Sequence, residues 1–339
     1  MAAGHTMNRL ARILAVLLAG ACAAPAAWAE NPTGAIAWPI PGRPAVIISG
    51  GTLDFGIKGG GEGSLHLSRG GTTHPVTPGE RQITSGTARG QAVLADTLAA
   101  GVYDLVYTAG DREETQRGAV HVVTALPPAY AVAVVRVAAF AADVDTQADF
   151  GAVGERIVAS GAALAFLMGP LSPEGNAEAY PALQDMLASL PVPAYVVPSE
   201  RELAAPEYRE LFGTPFYGMA YGDDGYLMLG AGLPAAEATV SRALGSIYLA
   251  RRALRASRWT IGVTGRFGLD WHLRSQIALF VDDPLDYLIA AEVPPEMGAE
   301  VPWGQTRLLP PPDIPRGALM MLDVDAGGIR LRQEAKQQP

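Results

Sequence analysis

The chain has 339 residues, 49% of them hydrophobic and 17% charged, with a formal net charge of −9. At roughly 100–200 residues per domain, that length calls for two domains, and the composition lets each bury a core. The acidic balance excludes a nucleic-acid binder that works by displacing counterions with a basic patch. Basic residues are almost all arginine, with lysine only at Lys58 and Lys336, which reads as genome composition rather than as a binding function.

Residues 1–29 read as a secretory signal. Arg9 and Arg12 form the basic n-region, Ile13 to Ala24 the apolar h-region, and Ala27-Trp28-Ala29 the small-x-small cleavage site before Glu30. The run is too short and too rich in alanine for a membrane span, and no later stretch of about 18 uncharged apolar residues occurs. The expected mature chain is therefore periplasmic or secreted, without a membrane span. Its only cysteine, Cys22, falls inside the signal, which leaves no thiol for disulfides or metal ligation. Ala19-Gly20-Ala21-Cys22 is a loose lipobox that lacks a large aliphatic residue three positions before the cysteine, so a lipoprotein at Cys22 is not expected.

Residues 30–128 carry short β-favouring runs at Ala45 to Ile48, Gly63 to Leu67, Gln91 to Leu94, Gly101 to Tyr107 and Gly118 to Val123. Gly50-Gly51, Gly59-Gly60-Gly61, Gly70-Gly71 and Pro78-Gly79 punctuate them. Leu98 to Leu105 resembles the late strand of immunoglobulin-like exported modules, and a small all-β immunoglobulin-like sandwich fits the pattern. His66, His74 and His121 are scattered without ligand spacing and read as ordinary surface residues. Leu126-Pro127-Pro128 closes the unit as a linker.

From Ala129 to residue 339 strands and helices alternate, which predicts α/β layers with any site on the loops at strand ends. Strands are expected at Val132 to Ala138, Ala163 to Met168, Ala194 to Val197, Trp259 to Val263, Leu285 to Ile289, Ala318 to Asp323 and Ile329 to Arg332. Helices are expected at Phe150 to Ser160, Glu178 to Leu190, Glu237 to Ser257 and His272 to Val281.

The residues just past these strands bear on function. Ala163 to Gly169 is followed by Pro170, and Pro193 to Pro198 by Ser199-Glu200-Arg201-Glu202. Trp259 to Thr264 is followed by Gly265-Arg266-Phe267, Leu285 to Ala290 by Ala291-Glu292-Val293-Pro294, and Asp143-Val144-Asp145 lies after the first strand. Order and flanks resemble the calcineurin-like metallophosphoesterase superfamily, whose strand ends carry D-x-H, G-D, G-N-H-D/E, a lone H and G-H-x-H around two metal ions and a bridging nucleophile. The resemblance implies a four-layer αββα sandwich, and it marks a degenerate member. Of G-N-H-E only Glu202 agrees; Pro170 stands for a bridging carboxylate, Gly265 and Arg266 for the lone histidine and its neighbour, and Asp145 for the first histidine, while Asp143 is kept.

Counting donors leads to the same place. A dinuclear hydrolytic site needs imidazoles and carboxylates to hold Zn, Fe or Mn and to activate a bridging water. Beyond Ala129 the chain has one histidine, His272, and no cysteine. No metal and no catalytic residue of the family's type is expected.

If the resemblance holds, Asp143, Asp145, Glu200, Glu202 and Glu292 converge with Arg201 and Arg266 on one end of the sheets. Carboxylates left without their cations repel unless neutralised, and the two guanidiniums are expected to pair with Asp143 and the glutamates. Three readings of that patch stay open: a solvated ion-pair network, a recognition surface for a small anionic ligand or a partner's carboxylates, and a hard-cation site for Ca or Mg. No G-x-S-x-G elbow is present, Ser199 and Ser241 lack a histidine at useful spacing, and Gly59-Gly60-Gly61 lacks a P-loop ending. Asp282-Asp283 reads as a solvated turn. Pro294 to Pro315, with Trp303 and Pro310-Pro311-Pro312, offers either a stiff contact surface or cover for a sheet edge. The expectation is an exported pseudophosphoesterase that binds or scaffolds another exported or envelope protein; the alternative is a hydrolase with a carboxylate-bound divalent cation.

Overall fold

The computed structural model describes residues 34–59, 62–84, 86–136, 144–171, 179–231, 237–266, 283–291, 305–309 and 319–332. The signal segment with Cys22, the helix expected around His272, and Asp143, Glu292, Pro294 and Trp303 lie outside them.

Residues 36–123 form nine strands: β1 (Ile36–Trp38), β2 (Ala45–Ile48), β3 (Thr52–Lys58), β4 (Ser64–Arg69), β5 (Thr72–Val76), β6 (Pro78–Thr84), β7 (Thr87–Val93), β8 (Gly101–Ala109) and β9 (Arg112–Val123). They make two sheets, ordered β1-β3-β7-β6 and β2-β9-β8-β4-β5, with β2 parallel to β9 and every other pairing antiparallel. Alternation explains the core. Leu65 and Leu67 of β4 turn inward to meet Phe55, Ile57, Leu105 and Val120, while Ser64, His66 and Ser68 face out. The β4–β5 hairpin closes through Gly70 and Gly71, both at positive φ, as a two-residue turn requires.

Four of these strands, β1, β3, β5 and β6, were not legible from local pattern. Glycine breaks β3 at Gly56, where a side chain would run into the Trp38 ring, and proline opens β6 and interrupts β5. One correction concerns the histidines: His66 and His74 are half-buried, and His121 is 3% exposed rather than a surface residue.

The second half begins with β10 (Tyr130–Arg136), α1 (Val144–Ala159), β11 (Leu164–Met168), α2 (Ala179–Ser189) and β12 (Ala194–Val197). Then come α3 (Glu200–Ala204), α4 (Pro206–Phe212), β13 (Phe216–Tyr221), β14 (Asp224–Leu229), α5 (Glu237–Ala253), β15 (Thr260–Thr264), β16 (Tyr287–Ala290), β17 (Arg307–Leu309), β18 (Leu319–Asp325) and β19 (Gly328–Leu331). Two five-stranded sheets result, ordered β12-β11-β10-β18-β19 and β13-β14-β15-β16-β17. The first runs parallel from β10 to β12 and the second from β14 to β17, which makes this half a mixed α/β structure.

Both faces of each sheet are covered, which is why strands such as Leu164–Met168 are buried at every residue. Val132, Val134, Phe166, Tyr195, Tyr226, Ile261, Val263 and Leu322 from the two sheets form one shared core. Ala133, Val135, Leu167 and Val196 point the other way and meet Val153 and Ile157 of α1, Leu183 of α2 and Phe212 of α4. On the second sheet Leu227, Leu229 and Leu288 meet Ala243 and Ile247 of α5. No helix among the described residues is long and apolar enough to cross a membrane.

The two halves are joined through backbone as well as side chains. The Val196 N–H donates to the Gly42 carbonyl at 2.9 Å, so the turn after β1 adds to edge strand β12 and covers it. Arg43 lies 4.2 Å over the Tyr217 ring and 5.3 Å from that of Trp38, bridging the halves by cation–π contact. Gly118 of β9 sits so close to α2 that a side chain would meet the Ala188 carbonyl.

Candidate functional site

In an α/β sheet the loops at the carboxyl ends of parallel strands are free to carry a site. Here those of β11, β12, β14, β15 and β16 come together. Gly265, just past β15, donates its N–H to the Gly230 carbonyl after β14 at 2.7 Å, and Ala291 N–H reaches the Thr264 carbonyl at 3.0 Å. A side chain at Gly265 would lie 2.4 Å from the Pro198 carbonyl after β12, so the loops of the two sheets touch backbone to backbone at this point. The Thr264 hydroxyl adds contacts of 2.8 Å to the carbonyls of Gly230 and Arg266. Close approach, not chemistry, dictates glycine at position 265.

Glu202 governs the neighbouring loops. It is fully buried and accepts the Leu171 N–H at 2.9 Å on one oxygen. Its other oxygen accepts the Ser199 N–H at 2.7 Å and the Ser199 hydroxyl. Reaching back from the third helical residue to the N-cap is how a capping box closes the start of a helix, here α3. The bond to Leu171 goes further and ties the β11 loop to the β12 loop. Gly169 permits the approach, since a side chain there would meet Ser199 N and Glu202 Oε2. Pro170, in a cis peptide with Gly169, is half-buried between them and offers no donor group.

Of the charged groups expected to converge, Arg266 and Glu200 meet, Glu202 and Arg201 do not join them, and Asp143 and Glu292 lie outside the described residues. Arg266 Nη1 contacts Glu200 Oε2 at 2.8 Å, with both side chains about half exposed or more. Arg201 is exposed on α3 and makes no ion pair with any described residue, which departs from the pairing expected of it. Glu202 turns inward to backbone donors instead of joining the arginines. The backbone of Asp145 lies in the first turn of α1.

Among the described residues the donor set does not fit the dinuclear centre that the resemblance implies. Glu202 spends its oxygens on protein N–H and O–H groups, Glu200 faces a guanidinium, and Pro170 and Gly265 have nothing to coordinate with. What the arrangement can do is hold loops rigidly and present Arg266, Glu200 and Arg201 to solvent.

Sequence reasoning missed a polar network at the opposite end of the same sheets. Asp224, fully buried at the start of β14, receives two bonds from Arg258, Nε at 3.0 Å and Nη2 at 2.6 Å. Tyr130 of β10 donates to the same carboxylate at 2.9 Å and lies 2.7 Å from the Tyr226 hydroxyl. Burial, then the neighbouring tyrosine and carboxylate, push the Tyr130 phenol far up; burial does the same for Tyr226, so both stay protonated. Arg258 also donates to the Pro128 carbonyl at 2.8 Å, which pins the linker. The only sequence signal was Gly222-Asp223-Asp224-Gly225, and it reads as a turn.

A concavity lies where the halves meet, a polar cleft of about 200 Å³ between Thr115 and Gln116 on β9 and Gln184 on α2. Arg117 and Asp185 pair at 3.0 Å along its wall.

No protein-family model matches the chain, and no curated protein sequence matches it. Among solved structures it is similar to PhoD, at 9% identity over 87% of this chain and 92% of that one, with a TM-score of 0.44. A second likeness is to the Bacteroides ovatus mixed-linkage glucan utilization locus SGBP-B, at 17% identity over 28% of this chain and 23% of that one, with a TM-score of 0.19. A third is to amylomaltase from Corynebacterium glutamicum, at 14% identity over 62% of this chain and 33% of that one, with a TM-score of 0.21. None of these scores reaches the level at which a shared fold follows.

Proposed function

We propose that this chain is an exported binding or scaffolding protein, a pseudoenzyme on a calcineurin-like phosphoesterase scaffold, rather than a phosphoester hydrolase. In this reading the two five-stranded sheets are the inner layers of an αββα sandwich, and the nine-stranded unit before them is an immunoglobulin-like module. The observation that carries the reading is the fate of Glu202. The one residue retained from G-N-H-E is fully buried and bonded on both oxygens by Leu171 and Ser199, which makes it a structural fastener. Around it Pro170, Gly265 and the Arg266–Glu200 pair replace groups that would ligate or activate water.

The contact face is then the strand-end surface around Arg266, Glu200 and Arg201, together with the proline-rich segment from Pro294 to Pro315. Its partner is another exported or envelope protein, or a small anionic ligand that the guanidiniums can fork. The test is elemental analysis of the chain from Glu30 onward after dialysis against Mn, Zn, Fe and Ca, run beside phosphomonoesterase and phosphodiesterase assays. Substoichiometric metal and no chelator-sensitive turnover are expected. Stoichiometric ion with hydrolysis abolished by EDTA overturns the reading in favour of a hydrolase with a carboxylate-bound Ca or Mg.

A further inference from the structure

A titratable side chain is sealed inside the joint between the β-rich half and the α/β half. On β9, Val120 and Val122 face the core of the β-rich half, so alternation sends His121 to the other face. Its register partner across β2, Val46, packs against the central core of the α/β half. Backbone acceptors at Pro191, in the turn between α2 and β12, and at Gly118 face the imidazole, and the neutral ring, with a single N–H, donates to only one of them at a time. Proline has no N–H, so the group at Pro191 is its carbonyl, across the joint.

Asp104 of β8 and Asp185 of α2 have other partners, and Glu113 and Glu114 lie toward the opposite end of β9 from His121. Asp104 on β8 is occupied by the Gly118 N–H at 2.8 Å. Arg117 on β9 and Asp185 on α2 pair with each other at the exposed rim. Strand β2 and residues 190–193 contribute no ionisable side chain.

We propose that His121 is an acid-sensitive latch: neutral, it lets the two halves close on one another; protonated, it favours their separation. Burial, outweighing the two backbone acceptors, holds its pKa at about 4. Once the joint opens, the ring regains the solvent value of about 6.5. Between those two values the open form binds more protons than the closed one, so closure is at full strength above about pH 6.5 and weakens as pH falls toward 4. The gap of about 2.5 pKa units caps the change in the opening equilibrium at about 300-fold, at one tenfold step per unit, and roughly half of that, on the order of 100-fold, is reached at pH 4.

The Val196 N–H reports the joint directly, because its acceptor is the Gly42 carbonyl of the other half. Hydrogen exchange on the full chain, corrected for the intrinsic rate, should show its protection dropping about 100-fold from pH 7 to pH 4, while the amides of β11 hold theirs. In His121→Gln the Val196 protection should be flat over that range. Three results each overturn the proposal: no pH dependence in the unaltered chain, an equal drop in the variant, or a parallel drop in β11. If the variant does not fold, an NMR titration of the His121 ring in the unaltered chain decides. A midpoint near 4 supports the latch, and one near 6.5 in the closed protein removes it.

Discussion

The two ends of the same parallel strands solve the problem of charge in opposite ways. At the amino end Asp224 is buried completely, and every contact it makes is strong: a two-point clasp from Arg258 and a phenol from Tyr130. At the carboxyl end Arg266 and Glu200 meet at a similar distance but in solvent. The buried network connects β10 of one sheet, β14 of the other and the linker at Pro128, so it holds layers together. The exposed pair connects two loops that the Glu202 and Gly265 contacts already fix. Distance alone would rank the two ends as equals; desolvation separates them, because a stranded charge is costly only where water cannot reach it.

The largest effect should come from breaking the amino-end clasp. Arg258→Ala leaves the Asp224 carboxylate buried with only a tyrosine to face, and stranding one partner of a buried pair costs about 3–5 kcal/mol. Urea denaturation should show that loss, and Tyr130→Phe combined with it should deviate from additivity, since both contact the same carboxylate. A loss under about 1 kcal/mol would mean that the site is hydrated and the contrast between the two ends is unfounded.

Next in size is Glu202, which has the burial of the amino end and the location of the carboxyl end. Glu202→Ala removes the acceptor for the Leu171 and Ser199 N–H groups, and buried donors left unmade cost about 1–3 kcal/mol each. The stability loss should therefore approach that of Arg258→Ala, with Glu202→Gln recovering part of it because an amide oxygen still accepts. Full stability in Glu202→Ala would return Glu202 to the pool of available ligands and reopen the hydrolase reading.

How much of this was legible in the sequence depends on which interactions are local. The continuous apolar runs at Ala194–Val197 and Leu164–Met168 specify strands without help, because a segment buried on both faces shows no alternation to misread. The β13–β14 hairpin was missed: its strands mix Gly218, Met219 and Ala220 with tyrosines that are buried only because the facing sheet is present. At the strand ends, the positions of Pro170, Gly265 and Glu202 could be read from flanking residues. Their roles could not, since the collision of a side chain at Gly265 with the Pro198 carbonyl is a tertiary fact. His121 shows the same limit. A lone histidine in a strand looks like surface until another part of the chain packs over it.

The smallest expected effect tests the function most directly. Arg266→Ala or Glu200→Ala should change stability by less than about 1 kcal/mol, because an exposed pair gains little beyond what water offers each partner and is screened by salt. A double-mutant cycle should return a coupling of a few tenths of a kcal/mol that shrinks as salt is added. That weakness suits a contact surface, since an anionic partner can take Arg266 from Glu200 at little cost to the fold. A coupling above about 2 kcal/mol would mean that the pair is a structural brace like the one at Asp224. Arg201 and the proline-rich segment, rather than Arg266, would then be left to make the contact.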